Sequence, residues 1–200
     1  MNAVLCAGMW AVNDYTISRM KSCSSVWAQA VERDMPEQAF LLVVDVTSQR
    51  LTVMRKGVPI TTYPVSTAAR GTGQQEGSRQ TPLGFFEVVE RYGVGLPAGA
   101  EFKGRVFTGR VIPPDQWTGR TGGDMILTRI LRLSGLEPGR NKGCDVDTYA
   151  RYIYLHGTAH EDKIGTPASA GCVRMKNSDM LHLFDTVAEQ PVWCWIGRHA

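Results

Sequence analysis

Features that mark several large classes of protein are missing from this 200-residue sequence. No apolar run approaches the ~18 residues of a membrane-spanning helix, and the longest, residues 39–44, has the length of a buried strand. No block of five like charges occurs, and 22 basic against 19 acidic residues leave a net charge of only +3. We therefore expect neither an integral membrane segment nor a nucleic-acid partner.

Cysteine is too sparse and too irregularly spaced to indicate a disulfide framework. No C-x-x-C pair is present, which argues against a zinc ribbon, and the odd number of thiols favours a reducing compartment. The first ten residues place no Lys or Arg ahead of their apolar side chains, so they do not resemble a signal peptide. The expected location is the cytoplasm, with the periplasm as the alternative if a misplaced start codon has removed an export signal.

The composition is that of a folded globular chain, with 43% apolar and 20% charged residues, and the length fits one domain. Short β-branched runs separated by turn residues predict a strand-dominated domain with two or three peripheral helices. Helices are predicted over residues 24–34 and from Asn177 onward, and the Gly- and Pro-rich residues 93–124 are predicted to form a loop. The predicted strands cover residues 41–46, 51–54, 60–65, 85–89, 125–133, 152–155 and 192–196.

One short region combines the groups that thiol chemistry requires. A thiol attacks as thiolate, so it needs a base or cation beside it and donors for the oxyanion that it creates. Cys172 follows Gly171, and the backbone amides of both residues could point at one oxyanion. Arg174 adds a positive charge, so we expect the thiol to be more reactive than an ordinary cysteine near neutral pH. His156, at the end of a predicted strand, is the candidate base.

Simpler interpretations exist for the other cysteines and histidines. Cys194, between two tryptophans, is interpreted as a core residue, and the remaining three thiols as structural or incidental. His156 and His160 have the i, i+4 spacing of a metal pair, but Gly157 stands where the H-E-x-x-H motif needs glutamate. We therefore expect no metal site. The three thiols in question are Cys6, Cys23 and Cys144, and His160, His182 and His199 are interpreted as surface or cap residues.

The same residues carry a family resemblance. The sequence HGT at 156–158, followed by SAGCVRM at 169–175 with Cys172 sixteen positions after His156, resembles the signature of the L,D-transpeptidase catalytic domain, also called the YkuD domain. The segments LVVD, QRLTV, PVST and TPLGFF also occur in that family's order upstream. The resemblance covers about residues 38–197. It implies a mainly β, β-sandwich-like fold, in which residues 1–37 form an N-terminal extension with a short helix and residues 38–200 form the catalytic domain.

The resemblance implies cysteine-dependent acyl transfer on peptidoglycan stem peptides, without a cofactor. Cys172 would be the nucleophile and His156 the general base, held in its tautomer by the Gly157 carbonyl. The amides of Gly171 and Cys172 would form the oxyanion hole. Arg174 would steady the nucleophile loop or bind a substrate carboxylate. Ser169 is also implied to be one of the residues that bind the substrate or the oxyanion. The scissile bond joins the L-centre of a diamino acid to terminal D-Ala in a tetrapeptide stem.

The molecule that accepts the acyl group from Cys172 is less well determined than the donor. Many family members have His between the Ser and the Gly of the motif, where this sequence has Ala170. In the cytoplasm, water is the abundant acceptor, so the favoured activity is that of an L,D-carboxypeptidase trimming recycled muropeptides. The alternative is a periplasmic L,D-transpeptidase that forms cross-links or exchanges D-amino acids. A muropeptide-binding protein without turnover and a cysteine peptidase of ordinary L,L bonds are two further hypotheses.

Overall fold

A computed structural model describes residues 14–119 and 123–198, with side chains from residue 22 onward. Within these residues the chain forms two α-helices, α1 (Asp14–Val31) and α2 (Asn177–Val187). The strands found there are β1 (Phe40–Asp45), β2 (Arg50–Arg55), β3 (Val58–Pro64), β4 (Gly84–Tyr92), β5 (Ala100–Lys103), β6 (Val106–Val111), β7 (Ile126–Gly135), β8 (Tyr154–Thr158), β9 (Val173–Met175) and β10 (Val192–Gly197). No helix in the described ranges is long and apolar enough to cross a membrane.

The strands join into a mixed sheet in the order β3-β2-β1-β10-β4-β7-β5-β6. Strand β1 pairs in parallel with β10, and β8 pairs in parallel with β9, whereas the other pairs are antiparallel. Strand β8 leaves the main path and pairs with β7, which also contacts β4 and β5. The mainly β fold expected from the sequence is confirmed, with β8 paired to β7 and β9 paired to β8.

Apolar side chains fill both faces of the sheet, because a helix covers each face. Along β1, Leu42 and Val44 enter the main core together with the apolar side of α2. Leu41 and Val43 point the other way and pack against α1. The strand therefore appears in the sequence as a continuous apolar run rather than an alternating one. Full burial of each such side chain is worth about 1.5–3 kcal/mol.

Both helices differ from their predicted limits. Helix α1 begins at Asp14, ten residues before the predicted start at Ser24, and it packs on the sheet through Cys23, Val26 and Ala30. Asn177 was predicted to cap α2, but it is the first helical residue. Its side-chain amide instead donates to Thr158 O at 2.8 Å, so it ties the start of α2 to the end of β8. That bond fixes the strand that carries His156.

The prediction that residues 93–124 form only a loop is wrong. They contain β5 and β6, which form an antiparallel hairpin. The side chains of β6 are exposed or half-buried along its whole length, so no alternation of apolar and polar residues marks it as a strand. The three-residue strand β9 was also missed, because three residues are too few to show a period. Both elements lie at the candidate site.

Candidate active site

The site is built on the parallel pair β8 and β9. Their register sets His156 beside Arg174 and Leu155 beside Val173. Leu155 and Val173 both enter the main core. Since side chains alternate along a strand, His156 and Arg174 share the opposite face. The short strand β9 thus brings the end of the nucleophile motif next to the histidine motif.

Cys172 lies on the same face as His156. It packs against the apolar cluster that contains Tyr154 and Ile130, not against the main core that holds its neighbour Val173. Ile130 is also the residue of β7 that pairs with His156. The charge of Asp124 acts on both the thiol and the imidazole. The structure therefore brings the two predicted catalytic side chains into one site.

His156 is oriented by its own neighbour in the chain. The imidazole is almost fully buried, and its Nδ1 lies 2.7 Å from the carbonyl oxygen of Gly157. A carbonyl only accepts hydrogen bonds, so Nδ1 carries the proton and Nε2 is left as the acceptor. Burial lowers the pKa of His156, and the Asp124 carboxylate opposes that shift. The ring is therefore neutral, in its basic form, near neutral pH.

Gly157 is required by close packing rather than by a turn. A methyl group at this position would collide with Asn177 Oδ1 and would lie 2.8 Å from the carbonyl oxygen of Leu127. Asn177 is held in place, since its Oδ1 accepts a hydrogen bond from Thr128 Oγ1 at 2.5 Å, and Leu127 belongs to β7, which pairs with β8. Glycine therefore lets the strand approach closely enough to present its carbonyl to His156.

The resting state of Cys172 differs from the expectation. The residue is half-buried, and its thiol donates to the carbonyl oxygen of Tyr152 at 3.5 Å. Desolvation raises the pKa of Cys172 to about 12, and a hydrogen bond from the Tyr154 backbone and the charges of Arg174 and Arg151 only partly offset it. The charge of Arg174 lowers the pKa of the thiol, as expected, but desolvation outweighs it, so the expected net activation of the free thiol is not found. The sulfur rests as a thiol and needs a base to take its proton.

This protonation state makes a prediction about alkylation by iodoacetamide. Because only the thiolate reacts and its fraction rises towards the pKa, the rate at Cys172 should still be increasing at pH 10. At pH 7.5 the exposed Cys144 should be labelled first. Peptide mapping of the labelled protein across pH 6–10 measures both rates. Faster labelling of Cys172 than of Cys144 at pH 7.5 would contradict the raised pKa.

The loop before Cys172 is braced by hydroxyl groups. Ser169 Oγ donates to the carbonyl oxygen of Cys172 at 2.6 Å and accepts from the amide of Gly171 at 3.2 Å. The Gly171 amide is therefore bonded within the loop when no substrate is present, and it would exchange this bond to serve as an oxyanion donor. The amide of Cys172 is the other predicted donor. Ser169 itself acts on the loop backbone.

The guanidinium of Arg174 is paired with a carboxylate in the structure. Its side chain is only 6% exposed, and its Nε and Nη2 both lie 2.7 Å from Asp124 Oδ2. Of the two predicted roles, this pairing fits the steadying of the nucleophile loop. It corrects the other, because a buried guanidinium bonded to a carboxylate is not free to meet a substrate carboxylate.

Sequence reasoning missed Thr81, which holds the nucleophile loop, and Arg151, which holds the 73–80 loop. Thr81 Oγ1 donates to the carbonyl oxygen of Gly171 at 2.9 Å and accepts from the Ala68 amide at 2.9 Å. Arg151 donates to the carbonyl oxygens of Gln74 and Gln80, both at 2.7 Å. Thr81 lies in the quoted TPLGFF segment, so a signal for it existed. Nothing in the sequence marks Arg151.

Replacing Thr81 by valine tests this brace. The change keeps the shape but leaves a buried carbonyl and a buried amide without their partner, which costs about 1–3 kcal/mol. We expect turnover to fall roughly 10-fold or more, because small misplacement of a nucleophile is costly. Thr186→Val is the matched control, since that exposed hydroxyl donates to the His182 carbonyl within α2. Equal activity of both variants would contradict the role of Thr81.

Of the other thiols and histidines, His160 is buried and caps the short 3-10 helix Glu161–Lys163, so its predicted role as a cap residue is met but it is not a surface residue. Cys23 and Cys194 are buried in the two cores, as predicted for Cys194, while Cys144 is exposed. His182 Nδ1 and the Tyr63 hydroxyl are joined by a hydrogen bond of 2.8 Å. Among the residues with described side chains, no three His, Cys, Asp or Glu side chains are grouped to hold a metal ion. Cys6 and His199 lie outside the described residues.

Comparison with known proteins bears on this site. The family model YkuD, the L,D-transpeptidase catalytic domain, matches residues 39–193. A Bacillus subtilis (strain 168) protein named "Putative L,D-transpeptidase YqjB" is 42% identical over 40 residues, which are 20% of this chain and 23% of that protein. This chain therefore matches less than a quarter of that relative's length.

Solved structures resemble the fold at low identity. The L,D-transpeptidase from Xylanimonas cellulosilytica is 16% identical, with a TM-score of 0.47, over 85% of this chain and 68% of the other. L,D-transpeptidase 1 of Mycobacterium tuberculosis is 20% identical, with a TM-score of 0.42, over 80% of this chain and 62% of the other.

Proposed function

Because this chain belongs to the YkuD family of L,D-transpeptidase catalytic domains, we propose that it is an enzyme that transfers acyl groups of peptidoglycan stem peptides through Cys172. One observation carries the proposal. A thiol and a neutral imidazole with an available Nε2 lie on one face of adjacent strands. That pair is what a covalent acyl-transfer mechanism needs.

The first half-reaction forms a thioester. His156 Nε2 takes the thiol proton while the sulfur of Cys172 attacks the carbonyl that joins the diamino acid to terminal D-Ala. The negative oxygen of the tetrahedral intermediate is positioned towards the Cys172 amide. The intermediate collapses with cleavage of the C–N bond, and the imidazolium returns the proton to the leaving amine. D-Ala departs, and the acyl group stays on sulfur.

The second half-reaction releases the acyl group from the sulfur of Cys172. Water attacks the thioester while His156 takes its proton, and the sulfur leaves and recovers that proton as a thiol. Water is the proposed acceptor because Ala170, at an exposed position of the nucleophile loop, offers no group that could bind or deprotonate an amine. The product is a tripeptide stem, so the proposed activity is that of an L,D-carboxypeptidase.

Incubation with a disaccharide tetrapeptide in H₂¹⁸O, followed by mass spectrometry, tests this proposal. Hydrolysis predicts loss of one D-Ala and entry of one ¹⁸O into the new carboxyl group. An excess of D-methionine in a second sample offers an amine, and its incorporation instead of ¹⁸O would show transpeptidation. Cys172→Ala is the inactive control and Cys144→Ala the active one. An unchanged tetrapeptide would contradict acyl transfer on this substrate.

We propose that the enzyme acts in the cytoplasm on muropeptides returned from the wall. The support is that three cysteines with described side chains, Cys144, Cys172 and Cys194, are free thiols, as is usual in a reducing compartment. Fractionation of cells expressing the native gene provides the test. Cytoplasmic protein, with tetrapeptides accumulating on deletion, is the expected result. Periplasmic protein with fewer L,D cross-links on deletion would overturn it.

A further inference from the structure

The arginines near Cys172 differ in whether their charge is already neutralised. Arg174 is paired with Asp124. Arg132 is 5% exposed and lies 2.8 Å from Glu90, and hydrogen bonds from Tyr92, Arg132 and a second tyrosine hold the pKa of Glu90 at about 2. The Glu90 carboxylate therefore stays ionised beside Arg132 throughout the neutral range. Neither guanidinium is available to a substrate anion.

The donors of Arg151 are used by backbone carbonyls instead of a carboxylate. Its guanidinium donates to the carbonyl oxygens of Gly73, Gln74 and Gln80. It is half-buried, and desolvation lowers its pKa while the nearby thiol acts in the opposite direction. Its donors are used to hold the 73–80 loop, so it contributes a positive potential at the site rather than a binding group.

Arg105 is different. It lies in the turn between β5 and β6, and its Nη1 donates to the hydroxyl of Tyr154 at 3.1 Å. Its guanidinium carbon also lies 5.2 Å from the centre of the Tyr152 ring. No carboxylate pairs with it among the residues with described side chains. A guanidinium has five N–H donors, and one phenol leaves most of them for a ligand.

The two tyrosines that hold Arg105 also border the nucleophile. The thiol of Cys172 donates to the backbone carbonyl of Tyr152. The Tyr154 ring belongs to the apolar cluster against which Cys172 packs, and the charges of Arg105 and of Cys172 both act on its hydroxyl. Arg105 is thus one aromatic side chain away from the reacting sulfur, on the side of the β5–β6 hairpin.

We propose that Arg105 binds the terminal carboxylate of the amino acid that leaves during the first half-reaction. This inference rests on the proposed function and extends it to the recognition of the leaving group. The free carboxylate of a terminal D-amino acid lies only two bonds beyond the scissile nitrogen. An oriented arginine is suited to it, because the planar fork of donors matches the two oxygens of a carboxylate.

The assignment explains how the site would select the last peptide bond. In a pentapeptide stem the carboxylate lies one residue, roughly 3.5 Å, farther along the chain. The bond to the fourth residue would then present a neutral amide to Arg105. A bound pentapeptide would therefore lose the charge-assisted hydrogen bonds that the carboxylate makes with the guanidinium. Tetrapeptides are therefore the expected substrates.

The test compares a disaccharide tetrapeptide with its C-terminal amide. Wild-type protein should favour the free acid in kcat/KM by about 10- to 100-fold, the usual worth of a hydrogen-bonded charge. Arg105→Met should bring this ratio near unity by slowing only the acid, and Arg105→Lys should restore part of it. Arg110→Met is the matched control, since Arg110 is an exposed cation of the same hairpin, 3.5 Å from Glu101. It should keep the wild-type ratio.

Binding separates failure of this inference from failure of the proposed function. Calorimetry on Cys172→Ala, with and without Arg105→Met, measures the affinities of acid and amide without turnover. A preference for the acid that disappears with Arg105 supports the assignment even if the wild type proves inactive. Equal slowing of acid and amide by Arg105→Met would overturn it, as would an unchanged ratio. A third substrate, amidated only on the side-chain carboxylate of the diamino acid, should behave as the free acid, and loss of the preference there would overturn the choice of carboxylate.

Discussion

Replacing Cys172 by alanine is expected to abolish D-Ala release, with a loss of roughly 10⁴-fold or more in kcat. The other thiols with described positions are either buried in the cores, as Cys23 and Cys194 are, or exposed at Cys144. A liquid chromatography assay of D-Ala released from disaccharide tetrapeptide measures the effect. Cys144→Ala and Cys194→Ala should retain turnover.

The same variant should remain folded. Cys172 contributes one half-buried sulfur to the apolar cluster around Tyr154, and alanine is smaller and apolar. Removing a single sulfur from a partly open position leaves little cavity, so the midpoint of thermal unfolding should change little. Activity in the Cys172→Ala protein, measured on a sample with normal unfolding, would refute the nucleophile.

Replacing His156 by alanine should slow turnover by about 100- to 10,000-fold, the usual contribution of general base catalysis. The effect is expected to be large here because burial raises the pKa of the thiol to about 12, so the free enzyme contains almost no thiolate at neutral pH. The base must therefore remove the proton during the attack. Steady-state kcat/KM with the tetrapeptide measures the loss, and His182→Ala is the control.

The pH profile distinguishes this role from a structural one. Burial lowers the pKa of His156 below the ordinary ~6.5, so the imidazole stays neutral as the pH falls through that value. Wild-type kcat/KM should therefore decline only at a pH below the ordinary titration range of histidine. In His156→Ala that acidic decline should disappear, and the residual rate should increase with pH. An unchanged profile would contradict the assignment of the base.

The central pair of the site could be predicted from the sequence because its members are close along the chain. His156 and Cys172 are sixteen positions apart, and each lies in a short motif at the end or the start of a strand. The hydrogen bond from His156 to the Gly157 carbonyl lies between adjacent residues, so it too is a local property. The main strands were also predicted, since their apolar runs are continuous.

The rest depends on parts of the chain that meet only in the folded protein. Thr81 and Arg105 are 91 and 67 positions before Cys172, and no local pattern places them at the site. The pKa of Cys172 was predicted with the wrong sign, because the sequence shows the neighbouring cation but not the desolvation that outweighs it. Likewise, the hydrogen bond from the Gly171 amide to Ser169 Oγ depends on a turn, and the motif alone does not specify the geometry of that turn.

The most direct test of the proposed mechanism is the mass of the acyl-enzyme. Wild-type protein mixed with a disaccharide tetrapeptide and quenched with acid within the first turnovers should gain the mass of the tetrapeptide minus D-Ala. Peptide mapping should place this mass on Cys172, and neutral hydroxylamine should remove it, as it removes thioesters. Release of D-Ala without any adduct on Cys172, or an adduct on another residue, would contradict the thioester mechanism.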